Sequence, residues 1–177
     1  MSNAHHDIRP FRPVNIAILT ISDTRVAEND VSGRTLVERL KSAGHQLVAQ
    51  GIVPDDLYQI RAIISTWIAT PTIHVIITSG GTGLTGRDKT PEAIKPLLDK
   101  EIMGFGELFR ALSFAEIKTT SLHSRAFAGV ANGIYIFCLP GSAGACKTAW
   151  DQLIMPQLDY RTQPCNLVEM MTRLLEV

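Results

Sequence analysis

Ile73-His74-Val75-Ile76-Ile77-Thr78-Ser79-Gly80-Gly81-Thr82-Gly83 joins a short apolar, β-branched run to a cluster of glycines. Residues 73–78 read as a strand apolar on both sides, the pattern expected where helices cover both faces of a sheet. The glycines then mark a sharp loop at the strand's carboxyl end, where open α/β sheets bind ligands. Upstream, residues 14–21 and 47–53 carry the same kind of run. Between those two runs, Ser32 is placed to cap a helix carrying Leu36, Val37, Leu40 and Ala43, and Gly44 closes it. Asp55 or Asp56 opens a second helix whose stripe is Leu57, Ile60, Ile64, Trp67 and Ile68. Past the glycines, Thr90 as cap and Pro91 at the first helical position start a third, with Ala93, Ile94, Leu97 and Leu98 facing the core.

Strands separated by helices predict a mostly parallel, doubly wound sheet, an α/β class. The later chain departs from that rhythm. Residues 105–117 read as a helix, and the runs 127–131 and 134–139 flank Asn132-Gly133. Asn-Gly between apolar runs is a strong hairpin signal, because both turn residues need positive φ. One antiparallel strand is therefore expected at an edge of the sheet. A final long helix is expected over about 143–160, bent or broken near Pro156.

The chain has 177 residues, 17 Lys+Arg against 17 Asp+Glu, 45% apolar and 19% charged residues. That length fits one domain, taken as residues 14–177 behind a polar N-terminal extension of residues 1–13. The apolar content excludes disorder. The even charge balance excludes a nucleic-acid binder that works through a broad basic surface. No apolar run approaches the ~20 residues of a membrane span, and residues 1–13 carry no secretory signal. Cys138, Cys146 and Cys165 form no CxxC pair, and free thiols in a reducing cytoplasm are the expectation. His45, His74 and His123 lack metal-ligand spacing. The sparse charge leaves surface to be hidden in an oligomer.

Gly81-x-Gly83-x-x-Gly86 spells the dinucleotide fingerprint, but Arg87-Asp88-Lys89 separate it from the helix and no acidic ribose ligand follows on a strand. A P-loop fails as well, since Arg87-Asp88 stand where Lys-Ser/Thr is required. The glycines nonetheless let backbone N–H groups converge on an anion, with Ser79, Thr82 and Thr85 adding hydroxyls. Asp88 beside such a nest suggests a nucleotide or phospho-ligand held with Mg²⁺. A tight glycine turn with Asp88 merely solvated fits the same residues. Three further loops end at the same side of the sheet: Ser22-Asp23-Thr24, Pro54-Asp55-Asp56 and Pro140-Gly141-Ser142. Together they suggest a convergent crevice. No nucleophile elbow is present.

Thr78-Ser79-Gly80-Gly81-Thr82-Gly83, Arg87-Asp88-x-Thr90-Pro91-Glu92-Ala93, Gly104-Phe105-Gly106-Glu107 and Leu139-Pro140-Gly141-Ser142 together resemble the molybdopterin-binding domain of molybdenum cofactor biosynthesis. The segments 141–150 and 161–166 are most similar to its B-type members. The resemblance implies a three-layer αβα sandwich and a chemistry. Related members adenylylate molybdopterin with ATP and Mg²⁺, giving adenylyl-molybdopterin and pyrophosphate, whereas other members only bind or carry the pterin. By the same resemblance Asp55 and Asp88 are the functional aspartates, Asp88 the Mg²⁺ ligand. Ser22, Asp23, Ser79, Gly80, Gly81, Thr82, Gly83, Pro140, Gly141 and Ser142 would hold substrate. Trimers or hexamers are implied too, with Leu167, Val168, Met170, Met171, Leu174 and Leu175 of the tail expected in the contacts.

Overall fold

The computed structural model describes residues 9–176 of the chain. Strands β1 (Asn15–Ile21), β2 (Gln46–Val53), β3 (Val75–Ser79), β4 (Lys100–Glu101), β5 (Phe127–Ala131) and β6 (Ile134–Leu139) form one sheet in the order β2-β1-β3-β6-β5-β4. The pairs β1–β2, β1–β3 and β3–β6 are parallel, and β5 is antiparallel to both β6 and β4.

The period of two along each strand divides the core. Ile16, Ile18, Val75, Ile77, Tyr135 and Phe137 point to one face, where α1 (Val31–Ser42), α4 (Met103–Ile117) and α5 (Ala143–Ala149) cover them. Ala17, Leu19, Ile76, Ile134 and Ile136 point to the other, under α2 (Leu57–Ile68) and α3 (Thr90–Ile94). Both faces of the central strands are thus dry, which is why their sequences read as unbroken apolar runs. The result is the expected three-layer αβα sandwich with a mostly parallel sheet. Among the described residues no helix is long and apolar enough to cross a membrane.

Several local expectations are corrected. Asp30, not Ser32, caps α1: its carboxylate accepts from Gly33 N at 2.9 Å, while Ser32 is buried and donates to Asp30 at 3.2 Å. Asp56 caps α2, which leaves Asp55 free for the crevice. Thr90 lies inside α3 rather than at its cap, and its hydroxyl donates to Gly80 O at 2.8 Å. The hairpin turn at Asn132 and Gly133 has the expected positive φ values of 47° and 75°, yet β5 is not the edge, because the two-residue β4 lies outside it. The final helix stays helical through Ala149, Trp150, Ile154 and Met155, and widens before Pro156 instead of breaking. A wide π-type turn over Trp150–Ile154 follows α5, and Pro156 sits in the first turn of α6 (Met155–Leu158), where its missing N–H costs nothing.

The ends of the chain pack on the domain itself. Phe11 lies 5.2 Å from the His45 ring and the Arg12 guanidinium 3.7 Å over Tyr160, while Arg9 pairs with Glu169 at 2.9 Å. The described part of the N-terminal extension is therefore part of the body, and residues 1–8 lie outside the described residues. In the tail, Asn166 caps α7 (Leu167–Met170), Val168 is buried, and Leu167, Met171 and Leu174 pack against the core. Of the six apolar tail residues expected in oligomer contacts, Met170 and Leu175 are exposed and the other four pack at least partly on the domain itself.

Candidate functional site

The connection leaving β1 leads to β2 on one side, and the chain leaving the neighbouring β3 leads to β4, β5 and β6 on the other. Loops leaving neighbouring strands in opposite directions open a crevice at their carboxyl ends. Here it has a volume of about 710 Å³, within the roughly 300–1,000 Å³ of small-molecule sites.

Its floor is the glycine loop. Gly80 has φ 109°, and a Cβ there would lie 2.1 Å from Ile21 O, so only glycine lets β3 turn beside the end of β1. Gly80 N donates to Leu139 O at 2.9 Å, and Thr90 N to Gly81 O at 3.0 Å, which ties the loop to β6 and α3. Thr82 is buried, with its chain lining the crevice beside Gly80, Gly81 and Gly83.

Three carboxylates stand around this loop. Asp55 is 8% exposed and accepts from Lys89 N at 3.0 Å. Burial pushes its carboxyl above the usual range, and the nearby charges of Asp88 and Asp23 push the same way against the Lys89 N–H. Asp23 accepts from Asp55 N at 3.1 Å and from Arg87 Nε at 2.9 Å, and the Arg87 guanidinium holds its carboxyl low. Asp88 accepts from Thr85 N at 2.8 Å and Thr85 Oγ1 at 2.5 Å. Partial burial opposes its ionisation, but the Thr85 and Gly83 donors and Arg125 outweigh that and hold it low. Asp23 and Asp88 are thus favoured as anions, with the strained charge on Asp55 between them.

Ser22, Asp23, Asp55, Gly80, Gly81, Thr82, Gly83, Asp88, Pro140, Gly141 and Ser142 all line the one crevice. Ser79 does not. It is fully buried under the loop, its hydroxyl 3.4 Å from Ser32 Oγ, because the last residue of β3 points into the α1 layer. Sequence reasoning missed a second wall. Phe109, Ser113 and Ile117, spaced by four on α4, and Ser121 and His123 of the following turn line the crevice as well. The hydroxyl-rich segment 119–124 after an apolar helix was the available signal. Arg25 was missed as well. It lines the crevice, donates to Gly141 O at 2.7 Å and pairs with the buried Asp30 at 3.4 Å, holding the β1 and β6 loops together. Among the described residues, no group of three or more His, Cys, Asp or Glu side chains is placed to hold a metal alone. Cys138 and Cys146 are buried thiols pushed up to about 12, and neither lines the crevice.

Fold and site define a class: a doubly wound α/β domain that presents glycine amides, hydroxyls and carboxylates to one ligand at its switch point. The family model described as "Probable molybdopterin binding domain" matches residues 17–160, and the chain belongs to this family of molybdenum cofactor biosynthesis. The chain is 54% identical over 156 residues to molybdenum cofactor biosynthesis protein B of Escherichia coli K12, covering 88% of this chain and 92% of that protein. It is 44% identical to the protein of the same name from Bacillus cereus, covering 92% of this chain and 96% of that one. A crystal structure of a molybdenum cofactor biosynthesis protein B superposes with TM-score 0.85 at 42% identity, covering 93% of this chain and 99% of that chain. The tungsten cofactor synthesizing protein MoaB from Pyrococcus furiosus superposes with TM-score 0.70 at 38% identity, over 79% of this chain and 89% of that one.

Proposed function

We propose that the crevice binds molybdopterin and ATP and transfers the adenylyl group to the pterin's phosphate. A phosphate oxygen attacks the α-phosphorus, the new P–O bond gives adenylyl-molybdopterin, and pyrophosphate leaves. The observation that carries this reading is the meeting of an anion-binding glycine loop with three carboxylates in one crevice. The attacking group is already an oxyanion, so the protein supplies no nucleophile. Catalysis reduces to alignment and neutralisation of crowded phosphates.

The carboxylate cluster fits Mg²⁺, which takes one or two carboxylates and completes its shell with substrate phosphates and water. Asp88 would hold it, with Asp55 orienting the nucleotide or a metal-bound water, and the unfavourable charge on Asp55 is what a cation would relieve. Mg²⁺ supplies charge neutralisation on the phosphates. The chain's own residues align them: Gly81 offers its amide, Ser22, Thr82 and Ser142 hydroxyls, and Arg25 the positive charge, while the Gly80 and Gly83 amides hold the loop's shape on Leu139 O and Asp88. Phe109, Ile117 and His123 offer a wall for a planar ring.

A second reading is a molybdopterin-binding or carrier protein without transfer. The hydrogen bonds that already hold Asp55 on Lys89 N and Asp88 on Thr85 favour it, since they give both aspartates a purely structural task. Single-turnover mixing of protein, molybdopterin, ATP and Mg²⁺ separates the two: adenylylated pterin supports transfer, and tight pterin binding without product supports the carrier.

A homo-oligomer, trimer or hexamer, working in the cytoplasm is part of this proposal. Its surface is the exposed side of α4 and the turn after it, where Met103, Leu108, Phe114, Ile117 and Leu122 are all more than half exposed. An apolar stripe of that length marks an interaction surface.

A further inference from the structure

Arg125 lies just before β5, behind the glycine loop, and is not among the residues that line the crevice. Its backbone N–H donates to Thr82 O at 3.0 Å. Its side chain donates from Nε to Gly83 O at 2.7 Å and from Nη2 to Asp88 O at 2.9 Å, and Nη1 pairs with the Glu92 carboxylate. One residue therefore takes three carbonyls of the loop, at both of its ends.

The geometry of the peptide group gives those contacts a consequence. A carbonyl and the N–H that follows it point in opposite directions across a rigid plane. Holding Thr82 O and Gly83 O from behind turns the N–H groups of Gly83 and Leu84 the other way. The Gly83 N–H is one of the donors to the Asp88 carboxylate. The same guanidinium fixes the backbone of Asp88 through its carbonyl. Partly buried carbonyls need partners, and without the Arg125 side chain Gly83 O and Asp88 O would have to seek others by rotating their peptide planes, while the backbone N–H of residue 125 still holds Thr82 O.

We infer that Arg125 is a positioning residue for the chemistry of the crevice: it sets the peptide planes of the glycine loop and the placement of the Asp88 carboxylate from outside, without touching substrate. This rests on the adenylyl-transfer reading above. Lysine does not replace it, because a single ammonium lacks the planar fork that reaches Gly83 O, Asp88 O and Glu92 at once. Glu92 is a partner and not a target. The Arg125 charge holds its carboxyl low, but Glu92 touches neither loop carbonyl.

The experiment compares Arg125→Ala, Arg125→Lys and Glu92→Gln with the parent protein. Single-turnover transfer is measured with molybdopterin, ATP and Mg²⁺, and the ¹H–¹⁵N amide shifts of Leu84 and Lys89, which follow the two carbonyls held by the guanidinium, are recorded in the substrate-free protein. Thermal unfolding establishes that each variant is folded. Both Arg125 variants are expected to transfer ~10²-fold more slowly, the loss typical of a misplacement near 1 Å, with the KM for ATP changed less than about threefold. Added guanidinium restores part of the rate to Arg125→Ala, both amides shift in that variant, and Glu92→Gln stays near the parent rate. Parent-like transfer in Arg125→Lys, or a Glu92→Gln variant as slow as Arg125→Ala, overturns the inference. If the parent protein itself transfers nothing, the adenylyl-transfer reading fails. The two amides then still decide whether Arg125 sets the peptide planes of the loop, with unchanged shifts in Arg125→Ala overturning it.

Discussion

Replacing Gly81 with alanine tests whether the glycine loop is held in one shape by its surroundings. Gly81 has φ 64°, a left-handed conformation that costs alanine roughly 1–2 kcal/mol. The added Cβ would lie 2.3 Å from Thr90 Oγ1 and 2.7 Å from Asp55 Oδ2. Thr90 is fully buried and its hydroxyl is bonded to Gly80 O, so displacing it breaks a buried hydrogen bond at about 1–3 kcal/mol. The sum is about 2–5 kcal/mol, and with a urea m-value of roughly 2 kcal/mol/M the midpoint falls by about 1–2.5 M. Transfer should fall further than stability, because the same Cβ pushes the Asp55 carboxylate off Lys89 N. Gly86→Ala is the control: it is exposed, nothing lies within 4 Å of its Cβ, and its midpoint should correspond to a change within about 0.5 kcal/mol. Equal midpoints and equal rates for Gly81→Ala and the parent protein would refute the reasoning, since they would mean the loop tolerates a side chain where the structure leaves no room.

Three other outcomes are expected. Asp88→Asn should lower single-turnover transfer by roughly 10²-fold or more, because the loss is one of charge at the phosphates, with some loss of melting temperature at pH 7 because its carboxyl is held low in the folded protein; parental rates would remove the Mg²⁺ role. Asp55→Asn should melt higher than the parent at pH 7 and equally at pH 3. The folded-state carboxyl of Asp55 is raised, so its stability contribution is full below the unfolded value of 3.8 and is lost as pH rises through the raised one. Asp23 and Asp88, held low, act in the opposite sense, their contribution present above 3.8 and lost as pH falls; a lower Asp55→Asn midpoint at pH 7 would contradict this assignment. Leu108→Glu should convert the multimer to a 19.4 kDa monomer in light scattering, and an unchanged mass in that variant would move the interface off α4.

Much of this architecture was legible because two-sided burial leaves a direct trace. The runs at 14–21, 73–78 and 134–139 are apolar on both faces since helices cover both, with Asn15, Thr20, His74 and Thr78 as the polar interruptions. Asn132-Gly133 announced its hairpin through a backbone requirement that few residues meet. The misses share a different cause. Two-residue β4 is too short to carry a period, so the edge was assigned one strand too far inward. Asp30 and Ser32 are both good caps, and the choice between them was made by Thr20, a residue on β1 whose hydroxyl donates to Asp30 at 2.6 Å. The tail's apolar residues carry no local sign of their partner, and Val168, Leu167, Met171 and Leu174 find one in the domain's own core.

At the site, the four strand-end loops could be placed by topology alone, and eleven of the named positions do line the crevice. Ser79 could not be placed, because a one-residue change of face decides between floor and core. The α4 wall escaped for the same reason as Arg125: each reaches the site from an element distant in sequence, and no local spacing records that approach. Arg25 directly follows Thr24, and it is its contact with Gly141 O, on the loop after β6, that leaves no local trace.

The central claim is that this crevice performs transfer as well as binding. Purified protein mixed with molybdopterin, α-labelled ATP and Mg²⁺ in a single turnover should give adenylyl-molybdopterin and pyrophosphate in equal amounts, and Asp88→Asn should give neither at a comparable rate. Molybdopterin bound tightly with no labelled pterin and no pyrophosphate would contradict the account.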